Sequence, residues 1–257
     1  MGGETFSALT IAGVDSCGGA GTTADLKTFA AFGVRGFAVV ACLTAQTPSE
    51  VMAVEKVSPE LIDAMFSAAA KHRIDAAKTG MLLDEETVVA VCRNIRDRGA
   101  GRVVADPVIS SGSGARLLSD GGIDALKKEL LPLCEFVTPN TGEAKALCGV
   151  EIRNGRDMET AAREIAALGA RKVVITGGHL EGDEVTDLFF DGKGFFRSTR
   201  KRVSEAGETH GTGCVFSSAL CALAAKGAGD FEAVRRAGEF TADMIKNSRK
   251  GGEEKEL

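Results

Sequence analysis

The chain has no tryptophan, no tyrosine and only 5 prolines in 257 residues. Its aromatic content comes from 13 phenylalanines, most of them inside apolar runs rather than interleaved with lysine and arginine as a base-stacking platform requires. An excess of basic charge is missing too. The formal net charge is -5, which argues against a nucleic-acid partner. No apolar run approaches the ~20 residues needed to cross a bilayer, and no basic-then-apolar leader precedes a cleavage site. The expectation is therefore no membrane partner and a cytoplasmic protein. The 7 cysteines (Cys17, Cys42, Cys92, Cys134, Cys148, Cys214, Cys221) are irregularly spaced and contain no C-x-x-C pair, so neither a zinc site nor a disulfide framework is expected. Most read as small buried hydrophobes in a reducing compartment. His72, His179 and His210 likewise lack metal-ligand spacing.

What is present is ordinary for a globular chain: 44% hydrophobic and 26% charged residues, in a length able to bury a full core. Apolar runs alternate with helical periodicity. Leu9–Gly13, Phe37–Thr44, Ile74–Thr79, Arg102–Asp106, Phe136–Thr138 and Lys172–Thr176 read as strands, the second long enough to be buried on both faces. Between them, Ser58-Pro59-Glu60 is a helix start, Asp84 opens a helix, Ile123–Leu130 reads as a helix and Asp157 begins another. Two helices close the chain, Thr212–Lys226 and Phe231–Asn247, before a polar tail expected to be disordered. Alternation of this kind implies an α/β fold with a mostly parallel sheet and helices on both faces. Val185–Asp191 and Phe195–Lys201, joined by Gly192-Lys193-Gly194, break the rhythm as a β-hairpin at an antiparallel edge. With no internal repeat and no linker, residues 1–257 are expected to form one domain.

In such a sheet, ligands bind beyond the carboxyl ends of the strands. The polar residues there are Asp15 with a glycine cluster, Gln46, Asp106, Asn140 with Glu143, and Thr176-Gly177-Gly178-His179. Thr209-His210-Gly211-Thr212-Gly213-Cys214 opens a helix. Its glycines let backbone N–H groups turn toward one point, where the helix dipole favours an anion such as phosphate. Cys214 falls in the first turn, where the dipole is expected to lower the thiol pKa and fit it to accept a proton. A glycine-softened loop before an ordinary core helix, with Cys214 buried and inert, would have the same spacing. Gly18-Gly19-Ala20-Gly21 matches neither a Walker A loop nor a dinucleotide fingerprint and also suits a tight turn. Asn140 and Glu143 have capping-box spacing, and Asp106-Pro107 suits a turn.

Taken together these segments resemble the hydroxymethylpyrimidine/phosphomethylpyrimidine kinases of thiamine biosynthesis, from about Ala8 to about Asn247. The carriers are Leu9 to Gly13 through Gly18 to Gly21, Ala24-Asp25-Leu26-Lys27, Leu43-Thr44-Ala45-Gln46 and Lys78-Thr79-Gly80-Met81-Leu82. They continue with Asp106-Pro107-Val108, Thr138-Pro139-Asn140 with Glu143, Thr176 to His179, and Thr209 to Cys214. The resemblance implies a three-layer αβα ribokinase-like fold, ATP and Mg2+ as cofactors, a small-molecule pyrimidine substrate and a homodimer. It gives Gln46 the aminopyrimidine edge, with Gly13, Asp15, Ala20, Met81 and Val108 also on the substrate side. Asp106 and Glu143 become the magnesium side. Asn140, Thr176, Gly177, Thr209 and Thr212 become the nucleotide side, and Gly211 and Gly213 with Cys214 the catalytic group. Cys214 stands where many sugar kinases of that fold place an aspartate base. A pyridoxal kinase of the same superfamily and a non-catalytic pyrimidine-binding domain are the alternatives. Departures from the family pattern are Ser16-Cys17, Thr23, Thr47 and a loop over Ile109–Gly114 without the usual lysine.

Overall fold

The computed structural model describes residues 5–47, 50–111, 114–203 and 210–253, with side chains as far as 247. The chain begins with β1 (Ser7–Asp15), α1 (Gly21–Ala31), β2 (Arg35–Gln46) and β3 (Val51–Lys56). It continues through α2 (Pro59–Ala69), β4 (Ala76–Thr79), α3 (Glu85–Arg98), β5 (Arg102–Ala105) and α4 (Asp120–Ala125). Then follow β6 (Phe136–Val137), α5 (Thr141–Cys148), α6 (Gly155–Ala167), β7 (Lys172–Ile175), β8 (Glu184–Phe190) and β9 (Phe195–Lys201). Two helices end the described chain, α7 (Thr212–Ala225) and α8 (Asp230–Glu253). The strands form one sheet in the order β3-β2-β1-β4-β5-β6-β7-β8-β9. From β2 to β7 neighbours are parallel; β3 on one side and the β8–β9 hairpin on the other are antiparallel.

Two cores, one on each face, explain why the strands read as continuous apolar runs. Successive residues alternate between them: Ala77, Val103, Val137 and Val173 join the core beneath α2, α3, α5 and α6. Ala76, Val104, Phe136 and Val174 join the core beneath α1, α7 and α8. A parallel strand covered on both faces has no polar face to show. Helix starts follow local chemistry. Ser58, Asp84, Ser119, Asn140 and Asn154 each accept a hydrogen bond from the first turn of the helix they open. Helices α1 and α7 have no side-chain cap and no acid in their first turns.

The α/β class, the parallel sheet and the edge hairpin match the expectation from sequence. Four details differ. β3 was not foreseen: Met52, Ala53, Val54 and Glu55 are all exposed, so neither face gives an alternating signal. β2 is not buried on both faces throughout, because its outer half faces solvent beside β3. The helix expected over Ile123–Leu130 starts at Asp120, past a Gly121-Gly122 pair that obscures it, and loosens into a π turn over Leu126–Leu130. The tail expected to be disordered from 248 continues α8 as helix to Glu253.

Candidate active site

The carboxyl ends of the central strands and the amino end of α7 surround one cleft of about 860 Å³, its mouth included. Of the residues singled out from sequence, Gly13, Asp15, Ala20, Gln46, Met81, Asp106, Val108, Glu143, Gly211, Gly213 and Cys214 all line it. Asn140, Thr176, Gly177 and Thr212 do not. Asn140 caps α5, accepting from the Glu143 N–H at 2.9 Å, in a full capping box. Thr176 bridges to Asn140 at the end of β7, and the Gly177 N–H donates to the buried Asp187 at 3.0 Å. Asn140 thus follows β6, and Thr176 and Gly177 follow β7 beside β8. Thr209 lies outside the described residues.

Two loops meet over the cleft because glycine allows it. Gly211 has φ +81°, and a Cβ there would lie 1.9 Å from the Gly19 carbonyl oxygen. Gly21 has φ +58° and faces the Gly13 carbonyl as closely, at 2.2 Å. A side chain at Gly211 would force the two loops apart, and one at Gly21 would push the first loop off the end of β1. A Cβ on Gly213, by contrast, would meet nothing within 4 Å. The amino end of α7 has no side-chain cap and no acid in its first turn, so its partial positive charge is not met from within the helix.

At one end of the cleft, Asp15 is buried and fully engaged. Its carboxylate accepts from the N–H groups of Cys17 (2.8 Å), Gly19 (3.0 Å) and Ala20 (2.8 Å), and from His210 Nε2 (2.9 Å). Burial alone would raise its pKa; the bonds from His210, the loop amides and the Gln46 amide outweigh that and hold it below the usual carboxylate value. The Gln46 backbone is held as well, its N–H donating to Ser16 Oγ (3.0 Å) and its carbonyl accepting from Cys17 Sγ (2.8 Å).

The other end is under-supplied with donors. Asp106 is buried; its carboxylate accepts from Ser217 Oγ at 2.9 Å and lies 3.8 Å from Lys78 Nζ. Burial nevertheless pushes its pKa up, with Asp25 adding to the rise and Lys78 opposing it. Glu143 is pushed up to about 8, first by burial and then by the Asp106 charge. Burial raises both carboxyls and the Asp106 charge adds to the rise at Glu143, and such a pair suits a divalent cation. Mg2+ commonly uses one or two carboxylates together with substrate phosphates and water. No group of three or more acidic, histidine or cysteine ligands exists among the described residues, so a closed all-protein metal cage is not what these residues build.

Cys214 lies between, partly exposed to the cleft. The lowered thiol pKa expected from the helix dipole is not found. Burial drives it up to about 12, the Asp106 and Asp25 charges add to the rise, and Lys78 and the Gly21 N–H oppose it. In the protein without ligands the group is a neutral thiol. Below it lies a polar cluster on the α1/α7 side of the sheet. Lys78 is completely buried on β4, with Nζ 3.0 Å from both Asp25 oxygens. Asp25 also accepts from Thr10 Oγ1 and Ser218 Oγ, each at 2.5 Å. This cluster and the role of His210 were not foreseen. A lysine inside the apolar Ile74–Thr79 run was the available signal, since a buried ammonium needs a carboxylate. His210 lay inside the glycine-rich segment, but its partner is 195 positions away in sequence.

Comparison with known proteins agrees with this geometry. The sequence model of the phosphomethylpyrimidine kinase family matches residues 15–256. A hydroxymethylpyrimidine/phosphomethylpyrimidine kinase from Aquifex aeolicus is 38% identical over 252 residues, covering 97% of this chain and 98% of the relative. The thiamine biosynthesis bifunctional protein ThiED of Geobacter sulfurreducens is 41% identical over 93% of this chain and 49% of its own length. Among solved structures, the pyridoxal kinase of Staphylococcus aureus in complex with AMP-PCP and pyridoxal superposes with a TM-score of 0.87 at 34% identity, covering 95% of this chain and 89% of that one.

Proposed function

The chain belongs to the phosphomethylpyrimidine kinase family and is a phosphotransferase of the ribokinase-like fold, and from that premise we propose its reaction and the residues that carry it. It transfers the γ-phosphoryl group of ATP to the hydroxymethyl oxygen of 4-amino-5-hydroxymethyl-2-methylpyrimidine, and then to the resulting monophosphate, in thiamine biosynthesis. The observation that carries this reading is the meeting, in one cleft, of an uncapped helix start, a thiol and a raised pair of carboxyls.

The pyrimidine lies against Gly13, Ala20, Met81 and Val108, with its polar edge on Gln46. Its hydroxymethyl group then points toward Cys214. In a loose phosphoryl-transfer transition state, charge gathers on phosphate oxygens before the nucleophile is strongly bonded. The N–H groups over Gly211–Cys214 are preorganised to take up that charge, so their contribution exceeds that of proton removal. Mg2+, held by Asp106 and Glu143, would neutralise phosphate charge when bound. Cys214 accepts the hydroxyl proton late, as a thiolate, so it first gives its own proton to solvent as the substrates bind. Neutralising the Asp106 charge would remove one of the influences that keep the thiol protonated. The nucleotide base and ribose extend along the rim past Asn140, Thr176 and Gly177, where Asp187 fixes the Gly177 N–H and Arg202 ties the following loop through the Gly178 and Gly182 carbonyls.

Pyridoxal is the rival substrate, favoured by the 0.87 TM-score to a pyridoxal kinase. ADP release measured with the hydroxymethylpyrimidine, its monophosphate and pyridoxal is the test. Turnover is expected with both pyrimidines and to exceed that with pyridoxal. Turnover with pyridoxal alone would reassign the substrate. We propose further that the protein acts as a cytoplasmic homodimer of single-domain chains; sedimentation velocity that shows only monomer would remove the dimer.

A further inference from the structure

Accepting that reading of the cleft, we infer that Asp15 is a positioning residue that locks the Gln46 carboxamide in one polarity, nitrogen toward Asp15 and carbonyl oxygen toward the ligand, and so selects the aminopyrimidine edge. The carboxylate of Asp15 offers only lone pairs, and its surroundings supply only donors: three loop N–H groups and His210 Nε2. His210 Nε2 lies 2.9 Å from Asp15 Oδ2, so it carries a proton. Gln46 Nε2 lies 3.3 Å from the same ring nitrogen. Two protonated nitrogens do not bond each other; His210 Nε2 is turned to Asp15, and the Gln46 side chain beside it also lowers the Asp15 pKa. If the amide rotated by half a turn, the Gln46 oxygen would meet a buried carboxylate with no proton between them, which is a costly juxtaposition of acceptors.

His210 pulls the other way. Without Asp15, its N–H would be free to hold the Gln46 carbonyl, and the amide would turn over. Asp15 therefore does two things: it draws the amide nitrogen toward itself and it occupies the His210 proton. The backbone of Gln46 cannot shift to relieve either, because Ser16 and Cys17 hold its N–H and C=O.

The locked amide shows the cleft one acceptor and, on the same nitrogen that faces Asp15, one remaining N–H. A 4-aminopyrimidine edge is complementary, with an amino donor beside a ring-nitrogen acceptor. The 4-oxo analogue in its lactam form presents the reverse, a carbonyl beside a ring N–H. A freely rotating glutamine would serve both equally by flipping. A locked one meets the oxo compound acceptor to acceptor and donor to donor, which is worse than meeting no polar group at all.

Calorimetric titration of the wild-type protein with three otherwise identical hydroxymethylpyrimidines, bearing an amino group, hydrogen or oxo at position 4, tests this directly. The expected order of affinity is amino, then hydrogen, then oxo, with amino over oxo by at least about 100-fold. An oxo compound that binds within about threefold of the amino compound, or better than the hydrogen compound, would overturn the lock. If none of the three binds, the reading of the cleft falls and this inference with it. Asp15→Asn, checked for folding by thermal unfolding, is expected to raise the oxo compound above the hydrogen compound. His210→Ala is expected to keep the wild-type order. Equal losses for all three ligands in Asp15→Asn, or the same reordering in His210→Ala, would mean that Asp15 only shapes the loop.

Discussion

Asp15 at one end of the cleft and Asp106 with Glu143 at the other are all buried carboxyls, yet their surroundings act on them in opposite directions. Loop amides and His210 hold Asp15 ionised, whereas burial and neighbouring carboxylates, Asp25 at Asp106 and Asp106 at Glu143, push the other two toward their protonated forms. The recognition end is complete without a ligand. At the Asp106 end both carboxyls are pushed toward protonation despite Lys78 beside Asp106, and the start of α7 has no side-chain cap. On the proposed function this division would leave shape and selectivity built in, with the electrostatics of the transfer completed by the nucleotide and its cation.

The contrast is broken most severely at Cys214. Cys214→Ala is expected to reduce turnover by about 10²–10⁴-fold while pyrimidine affinity stays within a few-fold, as read by steady-state kinetics beside calorimetry. Near-normal turnover would remove the base assignment and leave the kinase assignment standing. Next in size is Lys78→Met, which leaves Asp25 and its hydroxyl donors around an uncompensated buried charge. A destabilisation of about 3–5 kcal/mol is expected in urea unfolding, and a Lys78→Met, Asp25→Leu double variant should recover part of it.

A smaller effect sharpens the comparison through pH. In the fold Glu143 holds its proton to about pH 8, against a usual value near 4.5. Between those values the folded chain binds more protons than the unfolded chain, so the stability of the ligand-free protein should fall as pH rises through that window. Glu143→Gln should flatten the fall, which thermal unfolding from pH 5 to 8 would detect. The same variant should raise the Mg2+ concentration needed for half-maximal activity. The smallest effect lies outside the cleft altogether. Arg235 pairs with Glu232 and Glu239 on exposed helix surface, and Arg235→Ala should change stability by no more than about 0.5 kcal/mol.

The same division decides what could be read from sequence. The apolar strands, the hairpin and the glycine-rich start of α7 are local signals, and the structure places them much as their spacing implies. The cleft residues at strand ends were legible because an open parallel sheet dictates where its loops converge. Contacts that join distant segments were not. Asp15 and His210 are 195 positions apart, and Asp25 and Lys78 are 53 apart, so nothing local announces either pair. The Cys214 thiol shows the limit of a local rule. A helix start favours thiolate, but burial and the charges of Asp106 and Asp25, set by the tertiary fold, act more strongly. Strand β3 escaped notice because exposed Met52 and Val54 stand beside exposed Glu55 with no alternation to reveal a sheet edge.

The claim that one end of the cleft is finished and the other awaits charge is tested most directly by counting protons on binding. Calorimetric titration at pH 7 in buffers of different ionisation enthalpy should show release of about one proton when Mg2+ and ADP bind together. Binding of the pyrimidine alone should release none, because Asp15 is already ionised. No proton release with the magnesium nucleotide, or equal release with the pyrimidine alone, would contradict the account.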